Sequence, residues 1–556
     1  MPTFNANHYP YASRRSAVFA NRGMVATSQP LAAQAGLQVL QAGGNAIDAA
    51  IAAAAALTVV EPTANGIGGD AFALIWHKGQ LHGLNASGPA PMAISLDALT
   101  AAGHKEVPKY GALPVTVPGT PSAWVTMAER FGRMPLSRSM AGAISLAQDG
   151  FPISPVVAFA WQQAYKTFSR EFKDDHFKSW FDTFGAVDGS GRAPQAGEIW
   201  RSAGHASTLQ SIADDNARSF YQGALAEKTA AFIRAAGGYM DVSDLANFRP
   251  QWVDPISSNY RGYDVWELPP NGQGLAALQM LNILEGYDFS KIPFGSTEHV
   301  HLFVEAKKLA FEDRAKFYAD PDFSEAPIAG LLSKSYATER RKLISADKAM
   351  RSVEPGTPRL DGDTIYMTTA DQWGNMVSLI QSNYRGMGSG MSPPGLGFIL
   401  QDRGEMFVLK EGHANSFAPG KRPFHTIIPA FITKDGAPWA SFGVMGGDMQ
   451  PQGHVEIVMD LIDFGMNLQE AGDAPRIQHE GSTSPEAQAE AMADGGFVDL
   501  ESGFPYETVR GLMQKGHSVR FASGPYGGYQ AIRWDAQNHT YIGASESRKD
   551  GQAAGY

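Results

Sequence analysis

One threonine in the sequence stands where a chain could cut itself and use the new end for catalysis. Thr364 follows a polar segment, 345–363, that fits neither a helix nor a strand, and it begins a strand-like run of β-branched and aromatic residues. Attack of its hydroxyl on the carbonyl carbon of Asp363 would release an α-amine, which at a pKa of about 7.7 to 8.0 can act as general base. The segment therefore fits a threonine nucleophile, although it also fits an ordinary strand after an ordinary loop.

The hydroxyl of Ser382 is predicted to lie beside Thr364. Residues 364–370 and 376–382 are two strand-like runs around a turn that contains glycine and asparagine. A register symmetric about Trp373 places position 364 opposite position 382. The two hydroxyl residues would then be cross-strand neighbours on one face, unless a bulge shifts the register by one residue.

A pair of glycines could supply hydrogen-bond donors for the same reaction. The sequence at 435–436 is a two-residue hairpin turn, and extending its register outward sets His425 opposite Gly446 and Phe424 opposite Gly447. Two consecutive glycines let a substrate approach the backbone closely, and their amides could point at a developing oxyanion. A plain turn at this place is the alternative.

The composition excludes several classes of protein. The chain has 556 residues, 44% of them hydrophobic and 18% charged, which is typical of a large soluble globular protein. Its formal net charge of -11 would repel a phosphate backbone, so no nucleic-acid partner is expected. The lack of cysteine excludes a disulfide scaffold, a catalytic thiol and a cysteine zinc site.

The N-terminal region gives no sign of export or of membrane insertion. The arginines at 14 and 15 are not followed by the apolar core of a secretory signal, so a cytoplasmic location is expected. The longest apolar run, 49–60, is shorter than the roughly 18 residues that span a bilayer, so a buried helix is predicted and no membrane partner is expected. Asn45 can cap this helix, and the glycines at 43 and 44 would end a preceding helix over 30–41.

Common catalytic motifs are missing from the sequence. It contains no HExxH, no GxSxG and no GxxxxGK[ST], so zincin, nucleophile-elbow and P-loop interpretations lack their residues. His299 and His301 lie two residues apart in a predicted helix and cannot share a helical face, which favours a packed or solvated pair over a metal site. No metal and no cofactor are therefore expected.

Nearly the whole chain resembles the γ-glutamyltranspeptidase family of N-terminal nucleophile hydrolases. The blocks that carry the resemblance include GGNAIDAA at 43–50, EAKKLAFEDRAKFYADPDF at 305–323, GDTIYMTTADQWGNMVS at 362–378 and GKRPFHTIIPAFI at 420–432. The resemblance implies an α+β fold, a four-layer αββα sandwich that is made as one precursor. The precursor would cut itself into a large subunit, 1–363, and a small subunit, 364–556, which together form one domain.

The resemblance also implies roles for four residues of the predicted site. Thr364 falls on the threonine that serves as processing and catalytic nucleophile, and Ser382 falls on the hydroxyl residue that supports it. Gly446 and Gly447 fall on the pair that forms the oxyanion hole.

The residues that hold the substrate depart from the family pattern. Asn85 stands where the family's arginine grips the α-carboxylate of the glutamyl group. Arg403 and Met406 stand where a glutamine and an aspartate hold the α-amine, and His425 with Thr426 replaces a pair of serines. The grip that is specific for a glutamyl group is therefore not preserved.

The exchange of an aspartate for a methionine beside a new arginine changes the charge of the predicted pocket. A guanidinium at Arg403 could bind a carboxylate in bidentate fashion, so a substrate with a carboxylate and no α-amine would suit it. A surface ion pair with Asp402 or Glu405 is the alternative for this residue. His425 could be a second polar contact or a hydrogen-bonded core histidine.

The sequence therefore predicts an amidohydrolase that cleaves a small amide bearing a carboxylate, and oxamate is the smallest such amide. A glutathione hydrolase or γ-glutamyltransferase, a cephalosporin-type acylase and an uncut scaffold protein are the alternatives. The expected partners are the small-molecule substrate and the two subunits of the same precursor, and a homo-oligomer of αβ units stays open.

Overall fold

The computed structural model describes residues 13–354, 363–486, 492, 494–521 and 526–556, and for residues 363 and 364 it describes the backbone alone. The last part of the predicted polar leader, 355–362, and the side chain of Thr364 lie outside the described residues. None of the helices in these ranges is long and apolar enough to cross a bilayer.

Strands and helices are mixed along the whole described chain. The strands are β1 (Val18–Ala20), β2 (Gly23–Thr27), β3 (Asp70–His77), β4 (Gln80–Ala86), β5 (Phe151–Pro152), β6 (Ile199–Trp200), β7 (Gln251–Val253), β8 (Ile256–Tyr260), β9 (Tyr263–Glu267), β10 (Asp363–Asp371), β11 (Met376–Tyr384), β12 (Ala430–Lys434), β13 (Ala437–Met445), β14 (Ile477–Glu480), β15 (Phe497–Leu500), β16 (Ser518–Arg520), β17 (Gly528–Asp535), β18 (Thr540–Ser545) and β19 (Gln552–Gly555). The α-helices are α1 (Pro30–Gln41), α2 (Ala46–Val60), α3 (Leu96–Ala101), α4 (Thr120–Phe131), α5 (Leu136–Asp149), α6 (Pro155–Glu171), α7 (Lys178–Phe184), α8 (Ala203–Asp215), α9 (Arg218–Gln222), α10 (Ala224–Ala235), α11 (Val242–Asn247), α12 (Gly274–Leu284), α13 (Thr297–Phe317), α14 (Ile328–Leu331), α15 (Lys334–Arg341), α16 (Met449–Ile462), α17 (Leu468–Asp473) and α18 (Tyr506–Gln514).

Two seven-stranded sheets form the middle of the molecule. One has the order β1-β18-β17-β13-β12-β9-β8 and the other the order β19-β2-β10-β11-β3-β4-β7. Helices α1 and α2 pack on the second sheet, and α12 and α16 pack on the first. The inner faces of the sheets enclose an apolar cluster that includes Phe72, Tyr366 and Phe431. The predicted αββα sandwich is thereby confirmed.

The predicted helix over 30–41 is confirmed as α1, and the predicted buried helix over 49–60 lies within α2. The start of α2 is fixed by its cap. Asn45 accepts hydrogen bonds from the N–H groups of Ile47 and Asp48, and Asp48 accepts one from the N–H of Asn45, which is a capping box. Every residue of α2 is buried, because its alanines let α1, α5 and the sheet approach on all sides.

The hairpin of β10 and β11 lies at the centre of its sheet, and its predicted register is confirmed over most of its length. Residues 365–370 pair with 376–381, in the register symmetric about Trp373. The register then shifts, and Asp363 pairs with Tyr384. Position 364 thus lies at the irregularity itself, as the bulge alternative allowed.

The hairpin of β12 and β13 has the predicted turn but a different continuation. Lys434 pairs with Ala437, and the register shifts next to Pro438, which has no N–H to donate. β12 begins only after Pro429, so the pairing never reaches residue 425. The predicted pairings of His425 with Gly446 and of Phe424 with Gly447 are therefore wrong.

Candidate active site

The packing of the two sheets brings the start of β10 and the end of β13 to one edge of the sandwich. A Cβ atom placed on Gly443 would lie 2.5 Å from the ring of Tyr366, and the hydroxyls of Thr368 and Ser441 are 2.5 Å apart. The two strands therefore run in opposite directions across the interface between the sheets. Extending both by two or three residues brings the 363/364 peptide bond toward the Gly446–Gly447 pair.

Ser382 lies at the same edge, at the end of β11, and is buried. Its Oγ accepts a hydrogen bond of 2.8 Å from the N–H of Tyr384 and one of 3.4 Å from Nη2 of Arg403. Its neighbour in the sheet is Asp70 on β3. The predicted support residue thus touches Arg403, which the sequence had assigned to substrate binding.

Arg403 begins a short 3-10 helix, Arg403–Met406, and none of its surface is exposed. Nη1 donates to Oγ1 of Thr426 at 2.9 Å, and the guanidinium carbon lies 4.4 Å from the ring centroid of Tyr384. Burial lowers the pKa of Arg403 to about 10, while the nearby carboxylate of Asp70 opposes the shift. The side chain therefore stays a cation near neutral pH.

A surface ion pair with neighbouring acids does not explain this arginine. Glu405 instead forms two hydrogen bonds, of 2.5 and 2.7 Å, with Arg385. The Nε of Arg403 is buried and has no acceptor among the described residues. A buried guanidinium with an unused donor at the end of the β10–β11 hairpin is suited to binding an anion.

His425 is a hydrogen-bonded core histidine. Its Nε2 lies 2.9 Å from Oδ2 of Asp70, and its Nδ1 accepts a hydrogen bond of 3.4 Å from the N–H of Ile427. Burial, together with the charge of Arg403, holds the pKa of His425 well below its usual range, so the ring is neutral and Nε2 carries the proton. Burial also raises the pKa of Asp70 to about 7. The histidine therefore fixes Asp70 beside Arg403.

Asn85 lies behind this cluster, at the end of β4, and is also engaged by protein groups. Its Nδ2 donates to Oδ1 of Asn271 at 2.8 Å, and its Oδ1 accepts from the N–H and the hydroxyl of Ser87 at 2.9 and 2.7 Å. Asn271 in turn accepts the N–H of His425 with its backbone oxygen at 2.8 Å. Asn85 thus supports the loop that carries His425 and Thr426, and its substrate-binding role stays a prediction.

Gly446 and Gly447 both adopt the left-handed backbone region, with φ of 118° and 56°, where a side chain would be strained. Their carbonyl groups accept the N–H groups of Met449 and Gln450, at the start of α16. The glycine pair thus lies at the positive end of a helix, where a negative oxygen is stabilised.

Gln273 links the glycine pair to the pocket of Arg403, and the sequence pattern did not single it out. Its Nε2 donates to the backbone oxygens of Gly447 at 2.9 Å and Thr426 at 2.7 Å. Its Oε1 accepts Nη1 of Arg314 at 2.5 Å, and the same nitrogen donates to Asp448 at 2.6 Å. Gln273 lies in the stretch LPPNGQG, at 268–274, which also resembles the family, and that resemblance is the signal by which the sequence could have indicated this residue.

Comparison with known proteins identifies the family. A family model described as gamma-glutamyltranspeptidase matches residues 32–556. The chain belongs to the γ-glutamyltranspeptidase family. It is 35% identical to the glutathione hydrolase-like YwrD proenzyme of Bacillus subtilis, over 97% of this chain and 99% of that one.

Two further relatives of this γ-glutamyltranspeptidase family member carry other names. It is 33% identical to the oxamate amidohydrolase proenzyme of Klebsiella pneumoniae, over 96% of this chain and 98% of that one. The crystal structure of cephalosporin acylase from Bacillus halodurans superposes with a TM-score of 0.92 and 50% identity, over 100% of this chain and 99% of that one. The protein is thus an autoprocessing N-terminal nucleophile hydrolase that acts on amide bonds.

One group of side chains in the described part of this family member has the spacing of metal ligands, but it is engaged otherwise. His301 Nδ1 lies 2.8 Å from Nε2 of His517, and His301 Nε2 lies 2.7 Å from the backbone oxygen of Ser345. The third member, Glu305, accepts Nζ of Lys308 at 2.8 Å. An ammonium group at that distance would repel a metal cation, so the cluster is better described as a packed polar network.

The link through Gln273 gives a testable prediction for this enzyme. Gln273→Met keeps the length of the side chain but frees the carbonyl of Gly447. We expect kcat to fall roughly tenfold, because the N–H groups of Gly446 and Gly447, the predicted oxyanion donors, lose their alignment. KM should stay within about twofold. Steady-state kinetics on cut enzyme tests this, with the exposed Gln195→Met as control. A fall in thermal stability without a change in kcat would contradict the positioning role.

Proposed function

We propose that the precursor cuts itself between Asp363 and Thr364 and that the product hydrolyses small amides whose acyl group carries a carboxylate. The observation that carries this proposal is the buried Arg403, a cation that touches Ser382 and has an unused donor at Nε. Its position near the start of β10 suits an acyl group whose scissile carbonyl would reach residue 364.

The sandwich explains how the two products of the cut would stay together. β10 and β11, from the small subunit, lie between β2 and β3, from the large one. β19, also from the small subunit, pairs with the other edge of β2. The sheet is continuous across the cut, so separation would expose the backbone hydrogen bonds of five of its strands. The subunits 1–363 and 364–556 would therefore remain one domain.

The reaction we propose uses a covalent ester intermediate. The Thr364 hydroxyl attacks the amide carbonyl while the α-amine of the same residue takes its proton, and the N–H groups of Gly446 and Gly447 stabilise the oxyanion. The α-ammonium then gives its proton to the departing ammonia or amine. Water attacks the resulting ester, with the α-amine again as base, and releases the carboxylic acid and the free hydroxyl.

The acyl group is expected to lack an α-amine. Met406 lies against Arg403, with its sulfur 3.3 Å from Nη1, where the family pattern has an aspartate that would neutralise an ammonium group. Oxamate fits these demands as the smallest carboxylate amide, and the relative named oxamate amidohydrolase supports it.

A second candidate is an acylase for longer dicarboxylic acyl groups. The 50% identical structure named cephalosporin acylase favours this candidate. A γ-glutamyl group without its amine is a glutaryl group, which keeps the carboxylate for Arg403. Because one relative is named glutathione hydrolase-like, γ-glutamyl amides are a third class of substrate to test.

A panel of three amides separates these candidates. Cut enzyme is given oxamate, glutaryl-p-nitroanilide and γ-glutamyl-p-nitroanilide, and release of ammonia or p-nitroaniline is measured. We expect kcat/KM for one of the first two to exceed that for the γ-glutamyl anilide by roughly tenfold or more, because burying an unpaired ammonium beside Arg403 is costly. A preference for the γ-glutamyl anilide would overturn the proposed substrate class.

A further inference from the structure

Glu486 is a partly buried residue near the proposed pocket, and its carboxylate group is fully buried. Neither carboxylate oxygen is accessible to solvent, and neither has a hydrogen-bond partner among the described residues. Its position is fixed by Asn415, whose side-chain amide donates to the backbone oxygens of Met406 at 2.6 Å and Pro485 at 3.2 Å. The backbone just before Glu486 is thus tied to the residue that lies against Arg403.

In the described part of the chain, the charged groups around Glu486 leave no unpaired cation for it. Asp448, Arg314 and Glu405 face it. Arg314 is paired with Asp448 at 2.6 Å, and Glu405 is paired with Arg385. Burial and the two acids raise the pKa of Glu486 well above its usual range, which favours the neutral carboxyl, the form that can donate a hydrogen bond.

Tyr384 is a second buried donor without an acceptor. Its hydroxyl has no hydrogen-bond partner among the described residues, and its ring lies under the guanidinium of Arg403. Its φ of 76° is strained for an aromatic residue, and the hydrogen bond from its N–H to Ser382 helps to hold it. Burial raises the pKa of this hydroxyl well above its usual range, and the charge that an ionised Glu486 would carry raises it further, so the two side chains lie within electrostatic range of each other.

We propose that Tyr384 and Glu486 complete, with Arg403, the site for the carboxylate of the substrate's acyl group, each donating one hydrogen bond to it. This assignment rests on the proposed function. One guanidinium and two neutral donors would bind one carboxylate without leaving an excess charge in the interior. The same ligand would give acceptors to buried donors that otherwise have none. Tyr384 and Glu486 would thus be specificity-determining residues for an anionic acyl group.

The test compares two anilides that differ only in the carboxylate. Glutaryl-p-nitroanilide carries it, and pentanoyl-p-nitroanilide has a methyl group in its place. For cut Tyr384→Phe and Glu486→Leu enzymes we expect KM for the glutaryl anilide to rise roughly tenfold, since each loses one hydrogen bond to a charged group. The kcat/KM for the pentanoyl anilide should change by less than about twofold. If the enzyme hydrolyses only oxamate, KM is measured with oxamate in place of the glutaryl anilide.

Glu486→Gln distinguishes a neutral donor from a charged acceptor. The amide of glutamine still donates, so this variant should bring KM back to within about threefold of the parent value. In the parent enzyme KM should also rise as pH climbs through the pKa of Glu486, because the ionised acid repels the carboxylate, and this rise should be missing in Glu486→Gln. A glutamine variant as impaired as the leucine variant would overturn the donor role.

Arg403→Ala separates failure of this inference from failure of the proposed function. If Arg403→Ala raises KM for the carboxylate substrate while Tyr384→Phe and Glu486→Leu do not, the two residues are not part of the site and the proposed function stands. If Arg403→Ala has no effect either, the proposed function itself is overturned. The extent of self-cleavage and the melting temperature of each variant show whether it has folded.

Discussion

Replacing Thr364 with alanine is expected to leave the chain uncut and without amidase activity. In the proposed mechanism the hydroxyl attacks the carbonyl of Asp363, and without that cut no α-amine exists to serve as base. Removing both groups at once should lower kcat by roughly 10,000-fold or more, as loss of a nucleophile does in other hydrolases. Denaturing electrophoresis should show one band at 59.7 kDa instead of two fragments.

Thr364→Ser is the matched control for this loss, because it keeps a hydroxyl at the same position. It should still be cut, more slowly, and should hydrolyse the preferred amide at a measurable rate. Thr369→Ser makes the same exchange at a buried position of the same strand, so it shows the effect of a threonine-to-serine change in β10 away from the proposed nucleophile. Hydrolysis at the parent rate by uncut Thr364→Ala protein would remove Thr364 from the mechanism.

Arg403→Ala is expected to raise KM for a carboxylate-bearing amide by roughly 100-fold while self-cleavage continues. A charged hydrogen-bonded pair in a buried site loses about 2 to 5 kcal/mol when one partner is removed. Arg403→Lys should recover part of this, because an ammonium keeps the charge but not the planar pair of donors. Michaelis kinetics on cut enzyme measures both effects.

The exposed Arg218→Ala is the matched control, since it removes the same side chain from a site on α9. This variant should have a KM within about twofold of the parent value. Arg403 also lies beside Asp70, so its removal should alter the environment of that buried acid and lower the melting temperature to some extent. A drop in stability with an unchanged KM would mean that Arg403 serves the fold and not the substrate.

The local features of this protein follow from the sequence because they depend on neighbours along the chain. The cap at Asn45 and the alternation from residue 365 are set within a few residues, and both elements lie where the pattern indicates. Long sequence blocks that resemble the γ-glutamyltranspeptidase family predicted both the family and the αββα sandwich. The predicted pairing beyond β12 and β13 was wrong, because it was extended from the turn alone and Pro429 and Pro438 interrupt the ladder of hydrogen bonds.

The surroundings of Arg403 were decided only by the tertiary structure. Sequence could place an arginine at this position but could not tell a surface ion pair from a buried cation, because Asp70, Ser382 and Thr426 reach it from distant parts of the chain. For the same reason no local pattern in the sequence indicates the contacts of Gln273 or the burial of the Glu486 carboxylate. The sequence thus determined the family, the helices and the candidate nucleophile, whereas long-range packing decided which charges are buried together and so what the pocket can bind.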